Sequence, residues 1–397
     1  MRNPIHPILM ILALSATALA ADAPVAPIPA DLKGEDLLVV TNRDSNDLTL
    51  IDWRKETIVG RRRLGCVCNP HMAMLTPDGK TLVTMGTALD KIFVMDVAGD
   101  APAREITVGS RPEHFDISAD SRTAFVNNFK EGTLSVIDLK ECREVSRIPG
   151  FSEPHNVTFT PDGKKAYVAN LGAHEVGIVD LQQRKLVGRL AIGSAGRQSK
   201  LEDDKSLDAI NGIINVTLTP DGKWGYAADG DSGQVAIIDT EKDEVVATLK
   251  VGGAPWRAYA SPDGKWMLIP NNGDETVSVI DAKTRKVVAT LPAFGWMTGI
   301  NFGPEGKKAY VIGTGETGAI MVYDLEAMKL VTRIKIGGRL ALETAATSPD
   351  HAKIFLTSST DNSVYVISTA TDTMRKIENV GVSPWASFIL GGENYCH

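Results

Sequence analysis

The chain has 397 residues, 43% of them hydrophobic and 23% charged, with 36 Gly and 20 Pro. That composition excludes disordered, collagenous and coiled-coil chains. Lys and Arg number 42 against 49 Asp and Glu, and a net charge of −7 argues against a nucleic-acid partner.

Residues 1–20 read as a cleavable export signal. Arg2 precedes a short apolar run from Ile8 to Leu14, and Ala18-Leu19-Ala20 forms a small-residue cleavage site. The run is too short for an anchored helix, and no cysteine follows the cut to take a lipid. The mature protein is therefore expected in the periplasm or outside the cell, soluble and with no membrane span. Residues 21–35, with Pro24, Pro27 and Pro29 among Ala and Asp, read as a linker.

From residue 36 to 390 one phrase recurs: an apolar strand, a Pro-Asp-Gly-Lys turn, a second strand, a Gly/Asn/Asp loop, a third strand ending in Ile-Asp, and a charged fourth strand. The turn or a relative stands at Pro77, Pro161, Pro220, Pro262, Pro304 and Pro349, with a degenerate copy at Ala119. The strand-ending acid gives a ruler at Asp52, Asp96, Asp138, Asp180, Asp239, Asp281 and Asp324, with Ser368 in its place at the end. Successive spacings are 44, 42, 42, 59, 42, 43 and 44. Four short strands in this period predict an all-β chain, a β-propeller of four-stranded blades. A polar insertion around Ser194 to Ala209 explains the outlying 59.

Eight marks predict eight blades, seven being the alternative count. The first mark lacks its inner strand, which turns up at the other end as Pro384 to Leu390. The ring is therefore expected to close by pairing this strand with Leu37–Val40, Leu48–Ile51 and Thr57–Arg63, which leaves 391–397 as a short tail. Tyr167-Val168-Ala169-Asn170, Phe125-Val126-Asn127-Asn128 and Val39-Val40-Thr41-Asn42 resemble the signature of the YVTN family of exported bacterial propellers. The eight-blade count is similar to the d1-haem domain of cytochrome cd1 nitrite reductases and to its relatives in d1-haem biogenesis. These resemblances imply the fold; a d1-haem function follows from them only by analogy.

Aligning the inner strands on their turns places His71, Glu113, His155, Ile214, Trp256, Thr298, Glu343 and Trp385 at one position of the channel mouth. Met72, His114, Asn156, Asn215, Arg257, Gly299, Thr344 and Ala386 occupy the next. Cys66-Val67-Cys68 lies just ahead of His71, and imidazole, thiolate and thioether together suit copper or zinc. His71 and His155 are the first-choice ligands, His114 and Met72 the second, with Cys66 and Cys68 as thiolate or redox partners. A disulfide between Cys66 and Cys68 is disfavoured in extended chain, because the next-but-one Cα lies near the upper limit for bridging, though it stays open beside a long-range bond to Cys396. Cys142 is expected on the opposite face. A haem-type tetrapyrrole would need one axial His, apolar walls such as Trp256, Trp296 and Trp385, and Arg257 for its carboxylates.

The leading expectation is a binding or scaffold propeller with a metal or metallocofactor at its mouth, supporting cofactor handling or electron transfer, with a periplasmic protein partner possible. A lactonase-like hydrolase, with Glu113 or Glu343 as base, a His as acid and Arg257 at an oxyanion, is the rival from another class. An interaction platform with no cofactor is the third. No serine-hydrolase elbow, Walker, dinucleotide or His-Glu-x-x-His motif occurs.

Overall fold

The computed structural model describes residues 29, 31–99, 101–193, 212–314, 318–337 and 342–395. The export signal, most of the linker, the insertion at 194–209, Cys396 and His397 lie outside these residues.

The repeat builds its blades through local side-chain to backbone bonds. In the Pro-Asp-Gly turn, Thr76 Oγ1 donates to Asp78 Oδ1 at 2.6 Å, the same carboxylate accepts the Lys80 N–H at 3.1 Å, and Gly79 supplies a left-handed φ of 68°. The acid of the ruler does the same for the turn into the fourth strand. Asp138 Oδ1 accepts the Lys140 and Glu141 N–H groups at 3.0 and 2.8 Å, and Asp52, Asp239 and Asp324 each take the equivalent pair. The signature asparagine clasps the second strand to the third: Asn128 Nδ2 donates to Thr133 Oγ1 and Ser135 Oγ, and Asn42 and Asn271 make matching pairs.

Eight sheets result, each running from an outer fourth strand to an inner first strand. The second and third strands are buried on both faces between neighbouring blades, as in Leu37–Asn42, whereas outer strands such as Glu244–Lys250 alternate between exposed and half-buried. Adjacent blades are tied by Lys-Ala-Tyr segments. Tyr167 Oη and Lys165 Nζ reach Asp243 of the next blade at 2.6 and 2.8 Å, and Tyr310 and Lys308 repeat the arrangement on Asp372.

The ring closes as its sequence requires. Pro384–Ile389 pairs antiparallel with Leu37–Asn42, matching Leu38 to Ile389, Val39 to Phe388 and Val40 to Ser387. One element is additional. Glu393–Tyr395, in the short tail, pairs with the inner strand Leu342–Thr347 and so lies on its channel side as a fifth strand. The reversal needs glycine at 392, where a Cβ would meet the Thr347 carbonyl oxygen at 2.0 Å. Among the described residues no helix is long and apolar enough to cross a membrane.

Candidate functional site

The loops joining fourth to first strands and second to third strands share one face, and the first residues of the inner strands surround its opening. Here a local irregularity, absent from the repeat as read in one dimension, aims the side chains. The residue before the inner-strand proline is left-handed at Asn69, Arg111, Glu153 and Ser383, with φ from 47° to 58°, and the pairing then slips between Pro70 and Ala73, Pro112 and Phe115, and Pro154 and Asn156. These are β-bulges, which re-aim side chains at the end of a ladder.

Three of the expected histidines come together. The rings of His71 and His114 are 5.4 Å apart, those of His114 and His155 4.4 Å, and His71 also meets Trp385 at 5.8 Å. His155 Nδ1 donates to the Ile214 carbonyl oxygen at 3.1 Å, which places the tautomer's lone pair on Nε2. His114 is 1% exposed, and neither ring nitrogen has a hydrogen-bond partner of good geometry, the nearest backbone influence being that of His155. Burial, reinforced by His155, His71 and Arg257, holds its pKa well below the usual imidazole range. His114 is thus a neutral, buried base.

Charge surrounds this group. His71 Nε2 lies 3.8 Å from Glu113 Oε2, and Arg111 Nε donates to Glu113 Oε1 at 2.8 Å. Burial pushes the Glu113 carboxyl up against the opposing pull of Arg111 and Arg43. Arg43 stacks 4.2 Å from the Trp385 ring while its Nε donates to Asn69. Arg257 is buried against the rings of Tyr259 and Tyr395, at 5.2 and 5.3 Å. Across the opening, Trp256 packs with Phe129, Leu171 and Ile214 and meets Trp296 edge-on at 5.9 Å; the Trp256 Nε1 is buried without a partner. Glu343 accepts from Ser359 Oγ at 2.6 Å. Asn156 and Asn215, which read superficially as glycosylation acceptors, hydrogen-bond to each other within the inner strands.

One expectation needs correction. Cys66 and Cys68 form a disulfide with each other, so in this state neither is a thiolate ligand. The extended-chain argument fails because the chain is not extended at Val67: it bends there and leaves the two Cα atoms 5.3 Å apart, within bridging range. Met72 packs against the apolar cluster between blades around Val83 and Phe115, which Cys142 also borders. Cys142 is a free, half-buried thiol on the opposite face, as its place in the repeat requires.

Arg43, Arg111 and Tyr395 were not anticipated. The first two flank Asn42 and Pro112 at recurring loop positions, a signal the repeat alignment carries; Tyr395 reaches the channel through a strand that has no counterpart in the repeat. A third buried histidine has no place in that alignment: His174 lies between Asp229, at 2.9 Å, and Asp231, at 3.2 Å. Among the described residues no three His, Cys, Asp or Glu side chains converge to hold a bare metal ion. The clefts of the opposite face, bounded by the Pro-Asp-Gly turns, contain none of the histidines.

The chain is an eight-bladed β-propeller whose mouth combines imidazoles, arginines and indoles. Its sequence matches two family models: residues 13–205 that of the YNCE-like beta-propeller, and residues 206–384 that of the cytochrome D1 heme domain. Among solved structures it is similar to the dihydro-heme d1 dehydrogenase NirN in complex with DHE, with a TM-score of 0.73 and 16% identity over 92% of this chain and 78% of that one. It is also similar to the Kuenenia stuttgartiensis hydrazine synthase, with a TM-score of 0.54 and 21% identity over 78% of this chain and 96% of that one. At these identities the likeness to solved structures is one of fold. A search of curated proteins finds no match.

Proposed function

We propose that this chain is an exported propeller that binds a haem-type tetrapyrrole at its channel mouth and serves cofactor handling or electron transfer. The observation that carries this reading is His114, a neutral imidazole buried among two others whose ring nitrogens meet no partner of good hydrogen-bond geometry, so that its lone pair would be available to a metal centre. His71 and His155, whose rings contact that of His114, would be the further residues able to hold such a group. In this reading Arg43, Arg111 and Arg257 would pair with the carboxylates of such a macrocycle, and Trp256, Trp296 and Trp385 would be its flat apolar walls.

Three adjacent imidazoles that do not converge on one point suit a planar cofactor better than a bare copper or zinc ion. The match of residues 206–384 to the cytochrome D1 heme domain and the tetrapyrrole in the NirN complex support the same reading. When bound, the iron centre supplies ligand exchange and one-electron chemistry. The protein's residues bind and orient: Glu113 keeps His71 and Arg111 in register, and burial keeps His114 deprotonated at neutral pH. The export signal and the periplasmic setting belong to the same proposal.

The test is a visible titration of the purified mature chain with iron protoporphyrin IX as the probe, with elemental analysis of protein isolated from the exported fraction. A saturable Soret shift at one equivalent, weakened at least about ten-fold in His114→Ala and in the double change His71→Ala with His155→Ala while circular dichroism is unchanged, is the expected result. Unsaturable binding, or identical binding by all variants, overturns the reading.

A further inference from the structure

The Cys66–Cys68 disulfide has no evident part in holding the fold. It closes a ring over one intervening residue, and a crosslink's effect on the unfolded chain shrinks with the length of loop it closes. The loop it bridges is held in other ways. Asn46 Oδ1 accepts the backbone N–H groups of Cys68 and Asn69 at 2.8 and 2.9 Å, Leu64 N–H donates to the Asn46 carbonyl, and Ala88 N–H donates to the Cys68 carbonyl. Its position is instead that of a reactive group. Val67, between the two cysteines, is 83% exposed; Cys66 is half-buried, and Cys68 is fully buried against Leu37 and Leu64. Cys66 is thus the more exposed half of the bond and Cys68 the protected one.

The loop also touches the site. Asn69, next to Cys68, holds Arg43; Arg43 covers Trp385; and Trp385 packs on His71, two residues further along the same strand entry. We propose that Cys66–Cys68 is an exchangeable redox pair on the rim of the mouth, reduced and re-oxidised by a thioredoxin-class dithiol protein, and that its state sets the Arg43–Trp385–His71 wall. In reduction, a thiolate of the external dithiol attacks Cys66 Sγ, forming a mixed disulfide and expelling the Cys68 thiolate, which takes up a proton. The partner's second thiol, deprotonated, then attacks its own sulfur in the mixed disulfide. The partner leaves oxidised, and Cys66 leaves as a thiolate that is protonated in turn. Two electrons and two protons pass to the pair, and the reverse sequence re-oxidises it. The redox half stands alone; the effect on the wall rests on the tetrapyrrole reading.

The experiment uses the full mature chain in graded mixtures of reduced and oxidised dithiothreitol, quenched in acid, alkylated and mapped by mass spectrometry to individual cysteines. Oxidised protein, reduced protein and the Cys66→Ser/Cys68→Ser variant are titrated in parallel with iron protoporphyrin IX. The proposal expects Cys66 and Cys68 to be labelled together at dithiothreitol ratios that leave circular dichroism and the melting curve intact. It also expects affinity for the probe in the reduced and serine forms to differ about five-fold or more from that of the oxidised form. A pair that resists reduction until the fold melts overturns it, as does an affinity that ignores the state of the pair. If the oxidised chain binds no probe, the tetrapyrrole reading fails, and the labelling arm alone decides whether the pair is exchangeable.

Discussion

At the scale of single residues, the mouth trades stability for readiness. A buried imidazole with unpartnered nitrogens costs the unliganded fold the desolvation of those atoms, so His114→Leu is expected to stabilise the apo protein by about 1–3 kcal/mol in denaturant unfolding. The pH dependence has a definite sign. Because the native pKa is depressed, the unfolded chain binds a proton near pH 6.5 that the native chain refuses, and native stability falls as pH drops through that value. The advantage of the leucine variant should therefore grow from pH 7 to pH 5. An advantage that shrinks with acidification would mean that His114 is charged in the native state. The gain should come with loss of tetrapyrrole binding, the pattern of a residue kept for a ligand.

At the scale of elements, the short strand Glu393–Tyr395 is the least expected and the most constrained. Asn394 bonds to both Ile389 N–H and its carbonyl, and Tyr395 packs edge-on at 4.8 Å against Tyr259 beneath Arg257. The strand therefore supports the cation we assign to a carboxylate. Its cost is Glu393, whose carboxyl burial pushes up to about 8 beside His351 at 4.0 Å. A carboxyl with a raised native pKa gives full stability below its unfolded value of 4.5 and loses it as pH rises to about 8. Glu393→Gln, which mimics the protonated form, should match the parent at pH 4.5 and exceed it by about 2–4 kcal/mol at pH 8.5. Chemical denaturation at the two pH values checks this, and equal slopes against pH would show that the carboxyl is not buried in the native chain.

At the scale of the whole molecule, cohesion comes from a closed ring of nearest-neighbour contacts, with the Tyr and Lys latches onto Asp243 and Asp372 acting between blades. A chain ending before Pro384 would lose both the inner strand of the closing blade and the Tyr395 strand, exposing Leu38, Val40 and the edge of Leu37–Asn42. We expect it to unfold at lower denaturant concentration with a broadened transition and to aggregate through the open edge. A sharp, unshifted transition would mean that closure contributes nothing.

How much of this was legible depends on which interactions are local. The turns were readable because Thr76, Asp78 and Gly79 satisfy one another within four residues, and the ruler because Asp138 caps its own turn; eight ruler marks, seven Asp and Ser368, fix the number of blades and even the strand that crosses between the chain ends. The convergence of His71, His114 and His155 was also legible, since equivalent positions in a ring are neighbours. Other features were set only in three dimensions. The bulges that let both Glu113 and His114 face the mouth, the bend at Val67 that allows Cys66 to meet Cys68, and the packing of Met72 between blades depend on backbone angles that the residue pattern does not specify. The entry of Glu393–Tyr395 into the channel depends on space left beside Leu342–Thr347 and Tyr259, in other parts of the ring. The sequence alone determined the blade and its repetition, because these rest on contacts within a period of about 42 residues, and its closure, because the one inner strand missing from the first period stands left over at the end of the chain. Only the tertiary structure decided which polar groups are buried without partners, because burial is a property of the closed ring and not of any one blade.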